Sequence, residues 1–129
     1  MAHRLLIVDD ELNHRKALAI SLRLEGYDVL EAEDGIAALE LLTEDEVDLA
    51  IVDLMMPGIN GLDLCRRMRF RHPSVGIVLT SAYHLSERQL QRAEISVLGF
   101  LPKPFEMDEL FAYLREKLPA DVAAAEAAG

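Results

Sequence analysis

Cysteine is nearly absent: Cys65 is the only one in 129 residues. An internal disulfide is thereby excluded. The four histidines, His3, His14, His72 and His84, are scattered, so no zinc-binding spacing can be written with them. Cys65 reads as a small, half-buried apolar residue, and a reducing cytoplasm is the expected setting. Basic residues are also in deficit, 13 against 23 acids, for a net charge of −10. A general nucleic-acid binder carries the opposite sign. The one local basic cluster, Arg66, Arg67, Arg69 and Arg71, reads as the solvated end of a helix. Long apolar runs are missing as well. The opening MAHRLLIVDD has four consecutive strong apolar residues before two acids, too short for a signal peptide and far short of a membrane span. There are no internal repeats.

What is present is alternation. Short apolar runs at residues 5–8, 28–30, 49–52, 76–79 and 100–101 are separated by helical patterns. The first, third and fourth runs are almost continuous in Leu, Ile, Val and Ala, as parallel strands buried on both faces are. Helical spacing covers residues 12–25, stopped by Gly26, and 36–42, capped by Asp34. It returns at 62–70 after Asn60-Gly61, then at 86–94 behind the capping box Ser86-Glu-Arg-Gln89, and at 106–118. Five β-α units predict an α/β fold: a five-stranded parallel sheet in the order 2-1-3-4-5 with helices on both faces, a flavodoxin-like doubly wound (βα)5. Residues 1–118 make one domain. Residues 119–129 form an Ala-rich tail that extends the last helix, hangs free, or begins a linker.

In such a sheet ligands bind beyond the carboxyl ends of the strands, near the point where strand order reverses. There the first run ends in Asp9-Asp10-Glu11, the third in Asp53, the fourth in Thr80-Ser81, and Lys103-Pro104 follows the fifth. Among these, the three carboxylates of Asp9, Asp10 and Asp53, the Thr80 hydroxyl and the Lys103 ammonium come to one edge. Clustered carboxylates repel unless one is protonated or a cation compensates. An all-oxygen set suits Mg²⁺. Asp53, exposed at a strand tip, can then attack a phosphoryl group and carry it as an aspartyl phosphate, with Lys103 and Thr80 meeting the phosphoryl oxygens.

The stretches LLIVDDE, DLAIVDLMMPGINGLDL, VLTS and GFLPKPF, in this order and spacing, resemble the receiver domain of bacterial two-component response regulators. The resemblance spans residues 4–118. It implies that Asp53 is the phosphoacceptor, and that Asp10, Asp53 and the backbone carbonyl of Met55 hold Mg²⁺ directly, with Asp9 acting through a water. It implies that Lys103 contacts the phosphoryl group from a cis peptide to Pro104, that Thr80 is the switch hydroxyl and that Phe100 is the switch aromatic. Pro57-Gly58 and Gly61 would shape the loop after Asp53, with Met55 and Met56 as loop packing. The implied partners are a histidine kinase or phosphotransfer protein upstream and an output domain or protein downstream. No nucleic acid is contacted within these residues and no membrane is engaged. A phosphorylation-dependent homodimer is one form the response takes.

The implied role is that of a cytoplasmic signalling switch, with Mg²⁺-dependent self-phosphorylation but no turnover of a substrate. Positions 55 and 82, Met and Ala, place no strongly polar group for a hydrolytic water, so autodephosphorylation is expected to be slow to moderate. Two rivals differ in class. A phosphatase of the haloacid-dehalogenase type needs a second Asp two residues after the nucleophile, and position 55 is Met. A receiver-like docking module would act without phosphorylation, and would fail to bind Mg²⁺ in the millimolar range.

Overall fold

A computed structural model of the chain describes residues 3–56, 58–82 and 97–118. Five strands form one parallel sheet: β1 (Arg4–Val8), β2 (Asp28–Ala32), β3 (Leu49–Asp53), β4 (Gly76–Ser81) and β5 (Gly99–Pro102). Their order is β2-β1-β3-β4-β5, as the alternation predicts. Four helices are described: α1 (Leu12–Leu24), α2 (Gly35–Glu44), α3 (Gly61–Arg71) and α4 (Met107–Lys117). The last of these corresponds to the helical pattern at 106–118. The pattern at 86–94 and the Ala-rich tail lie outside the described residues. Among the described residues no helix is long and apolar enough to cross a membrane.

Strand alternation divides the core in two. Leu6, Val8, Ala50, Val52, Ile77 and Leu79 point to one face and pack with Ala38 and Leu42 of α2 and Leu64, Cys65 and Met68 of α3. Leu5, Ile7, Leu49, Ile51, Val78 and Leu101 point to the other and pack with Leu18, Ala19 and Leu22 of α1 and Leu110 and Leu114 of α4. Each helix is therefore fixed to a face by its own apolar stripe. Cys65 is wholly buried rather than half-buried, because α3 presses that position onto the sheet. Burial pushes its thiol up to about 12, with Arg69 and Arg66 pulling the other way, so the group stays neutral. Arg66, Arg67 and Arg71 are exposed as expected; Arg69 is half-buried, its Nη1 donating to Pro73 O at 3.4 Å.

Three of the four described helix starts follow the capping rule, the exception being α4, where Glu106 makes no side-chain cap hydrogen bond. The Asp34 side chain accepts from Ala37 N, Asn60 accepts from Asp63 N, and Glu11 accepts from Asn13 N and His14 N. At the end of α1, Gly26 N donates to Arg23 O and Tyr27 N to Leu22 O, which closes the last turn. The strands run longer than their apolar runs. β2 continues through Glu31 because Ile7 pairs with Glu31 and Val8 with Ala32. The Glu31 carboxylate is met from α1 by Arg15 at 3.4 Å, Lys16 at 3.1 Å and Arg23 at 3.5 Å. A charged residue inside a strand is thus ion-paired from the helix above it, with the hydrogen bonds going to Oε2 and Oε1 left to the charge of Arg15.

Two glycines shape the approach to the carboxyl edge. Gly58 has φ +76, a left-handed conformation with open space around it. Gly61 has no unusual φ, but a Cβ there would lie 2.6 Å from Leu54 Cα and 2.7 Å from Asp53 O. The start of α3 is pressed against the end of β3, and Gly61 N donates to Leu54 O at 3.0 Å. Gly61→Ala is therefore expected to cost about 2–3 kcal/mol by overpacking, against about 1 kcal/mol for Gly58→Ala. Urea unfolding of both variants checks the order; equal losses would show that the β3–α3 junction can relax.

Candidate functional site

The same alternation that sorts the core also selects the site. Two residues on from Ile7, Ile51, Val78 and Leu101 stand Asp9, Asp53, Thr80 and Lys103. All four continue the row that faces α1 and α4. In β3 and β4 the pairing continues to the end, where Asp53 is the register partner of Thr80. Leu54 N then donates to Thr80 O at 2.9 Å and Lys103 N to Ser81 O at 2.8 Å, so the loop ends are tied to β4. The peptide between Lys103 and Pro104 is cis, as the resemblance implied.

Asp9, Asp10 and Asp53 bring one carboxylate oxygen each within 4.8 Å of one another. Asp10 is exposed, while Asp9 is 2% and Asp53 8% exposed. Asp53 is thus more covered than a strand-tip position suggests. It is the last residue of β3 itself, and its two oxygens are already engaged. Oδ1 accepts from Met55 N at 3.1 Å, and Oδ2 lies 3.3 Å from Lys103 Nζ. Lys103 Nζ is also 3.5 Å from Asp9 Oδ2. Thr80 is buried beside this cluster and Phe100 is half-buried, packed against the core on the α2–α3 face. Met56 packs in that core as expected, but the Met55 side chain does not: it is 56% exposed in the loop.

Sequence reasoning passed over two residues here. His14 Nδ1 lies 2.5 Å from Asp9 Oδ2, and Arg15 Nη1 donates to Asp9 O at 2.8 Å. Both stand in the first turn of α1, where their spacing from Asp9 carries no motif. The signal available was only that a helix starting four residues after a strand end must turn its first side chains back over that end. Asp9 Oδ1 also accepts from Glu11 N at 2.9 Å. An open cleft of about 410 Å³ lies beside the cluster, lined by His14, Ala82, Lys103, Pro104 and Phe105.

Burial works to raise the Asp9 carboxyl, but the hydrogen bonds from His14 and Glu11 and the charge of Lys103 together outweigh it. The carboxyl titrates below its ordinary value. Folding then favours the ionised form, so its stabilisation is complete above the unfolded value, about 3.9, and is lost as pH falls through the folded one. Urea unfolding at pH values on either side of that window should show a steeper acid loss for wild type than for Asp9→Asn. Parallel losses would mean that Asp9 gains nothing from its partners.

The residues fit a hard divalent cation. The donors are all oxygen, one carboxylate is solvent-facing, and among the described residues a single ammonium stands against three negative charges. Comparison with known proteins points to one family. The response regulator receiver domain matches residues 5–115. The response regulator MprA of Mycobacterium ulcerans is 40% identical over 119 residues, which are 92% of this chain and 51% of that protein. This chain spans about half the length of the curated relatives it matches. Among solved structures, the response regulator TrrA of Thermotoga maritima, in complex with Mg²⁺ and BeF, superposes with a TM-score of 0.80. It is 34% identical, over 90% of this chain and 99% of that one. The chemotaxis protein CheY4 of Vibrio cholerae gives a TM-score of 0.85 at 26% identity, over 92% of this chain and 100% of that one. With the fold, the acidic edge and the matched length in agreement, the chain belongs to the receiver domain family of two-component response regulators.

Proposed function

We propose that this domain is a phosphorylation-dependent switch whose acceptor is Asp53. The observation that carries this reading is the convergence of Asp53 with Asp9, Asp10 and Lys103 at the sheet's switch point. Asp10, Asp53 and the Met55 carbonyl would hold Mg²⁺, with Asp9 acting through a water. Mg²⁺ supplies positive charge that offsets the phosphoryl oxygens and lowers the repulsion met by an anionic nucleophile. The chain's own groups do the rest. A carboxylate oxygen of Asp53 attacks phosphorus, a new P–O bond forms, and the bond to the donor nitrogen or oxygen breaks with its electron pair. Lys103, held 3.3 Å from Asp53, meets one phosphoryl oxygen as a point charge. Thr80, its register neighbour, offers a hydroxyl to another.

The donor is a histidine kinase or a phosphotransfer protein, and the response passes through β5, α4 and the segment that precedes β5. Thr80 moves toward the phosphoryl group and Phe100 follows. Moving such an equilibrium from 1:99 to 99:1 takes about 5.5 kcal/mol. Two or three hydrogen bonds to a charged group, at about 1.5–3 kcal/mol each, are of that order. The output lies in a partner or in a further domain, consistent with relatives about twice as long as the chain.

Mass spectrometry after incubation with a small acyl phosphate and Mg²⁺ tests the assignment. Wild type should gain one phosphoryl group and Asp53→Asn none. Lys103→Ala should label about ten- to a hundred-fold more slowly, as loss of a charge-assisted contact implies. Labelling of Asp53→Asn at the wild-type rate would remove Asp53 from the role. Failure of wild type to label or to bind Mg²⁺ would favour docking without phosphorylation.

A further inference from the structure

His14 is held on three sides. Its backbone N–H donates to Glu11 Oε2 at 3.0 Å as part of the helix cap. Its ring meets the Phe105 ring edge-on, with centroids 6.1 Å apart and planes at 68°. Its Nδ1 lies 2.5 Å from Asp9 Oδ2. The side chain is 31% exposed, so one flank opens to the cleft beside Lys103. A surface histidine needs none of these constraints. Position 14 also falls outside every stretch that carries the family resemblance.

We infer that His14 is a positioning residue of the phosphorylation site: it fixes Asp9 and keeps Lys103 available to Asp53. One oxygen couples the three side chains. Asp9 Oδ2 faces both His14 Nδ1 and Lys103 Nζ, the latter at 3.5 Å, while Lys103 is nearer Asp53 at 3.3 Å. A buried carboxylate takes whatever donors are offered, because unmet lone pairs are costly away from water. With His14 on Oδ2 and Glu11 N on Oδ1, Asp9 is satisfied and stays in one orientation. Without His14, Lys103 is the remaining side-chain donor near the Asp9 carboxylate among the described contacts, since Arg15 reaches only the Asp9 backbone carbonyl. The ammonium would be drawn from Asp53 to Asp9, and the carboxylate that acts on the ion through water would lose its fixed direction. Hydrogen-bond partners of this outer kind govern metal affinity as well as geometry.

This inference rests on the proposed function, and the test separates the two. Asn places an amide N–H near the position of Nδ1, whereas Gln carries its amide one bond further out and Ala has none. His14→Asn, His14→Gln and His14→Ala are compared with wild type at one fixed pH by calorimetric titration with Mg²⁺. Their labelling rates with a small acyl phosphate are then measured at saturating Mg²⁺. The Gln and Ala variants should bind Mg²⁺ about tenfold or more weakly, with the Asn variant within about threefold of wild type. A double-mutant cycle reads Lys103 directly. Lys103→Ala should slow labelling less in the His14→Gln background than in wild type, because the ammonium is already diverted. The Asn and Gln variants are alike in polarity, so their difference survives if the Ala variant fails to fold. Equal Mg²⁺ affinity for Gln and wild type, or an Asn variant as weak as Gln, would overturn the inference while the proposed function stood. A wild type that neither binds Mg²⁺ nor labels would overturn the proposed function and this inference with it.

Discussion

Repulsion between carboxylates is the constraint around which this domain is built. Asp9 and Asp53 are both buried and hold their carboxylate oxygens no more than 4.8 Å apart, with Asp10 in the same cluster. At that separation, and at an effective dielectric near 20, one such pair repels by about 3 kcal/mol. Nothing local to either segment brings them together, since one follows the end of β1 and the other ends β3. They are held by the parallel register of β1 with β3 and of β3 with β4. The apolar rows of the α1–α4 face run on into the acids. A slip of one residue in β3 would turn Asp53 toward the apolar α2–α3 face and Val52 toward the α1–α4 face. The core therefore stabilises the site indirectly, because that slip would bury a carboxylate among apolar side chains and mismatch the packing on both faces.

The chain answers the repulsion in part. Lys103 sits between Asp53 and Asp9, His14 and the Glu11 amide bind Asp9, and the Met55 amide binds Asp53. Among the described residues one ammonium against three carboxylates leaves an excess of negative charge, which a divalent cation can offset. The site is thus a liability for folding that a bound cation would relieve. On the proposed function the readout would run through Thr80, which adjoins Asp53 in the ladder, and β5, which adjoins β4.

Much of this was legible in the residues. Near-continuous apolar runs ending in Asp, with Gly and Asn at the turns, specify buried parallel strands, their direction, and the edge at which chemistry gathers. Other features were hidden, each for a physical reason. Glu31 lies inside β2 because three basic side chains of α1 reach it, and no strand pattern shows a partner on another element. Asp53 is more buried than a strand tip suggests because the ladder with β4 runs through it. Cys65 is wholly covered because burial depends on how closely α3 meets the sheet, which Gly61 sets by permitting contact with Leu54. His14 was passed over because its relation to Asp9 is made by the fold of the β1–α1 turn and not by sequence spacing.

The central claim is that the acids at the carboxyl edge share one divalent ion, and amide NMR during Mg²⁺ titration tests it most directly. The opposite edge offers a control, because Asp45, Glu46 and Asp48 line another acidic cleft there. Saturable shifts should gather at residues 9–11, 53–55, 80–82 and 103, with residues 45–48 unmoved. Shifts confined to residues 45–48, or weak shifts spread over all acidic positions without saturation, would contradict the account.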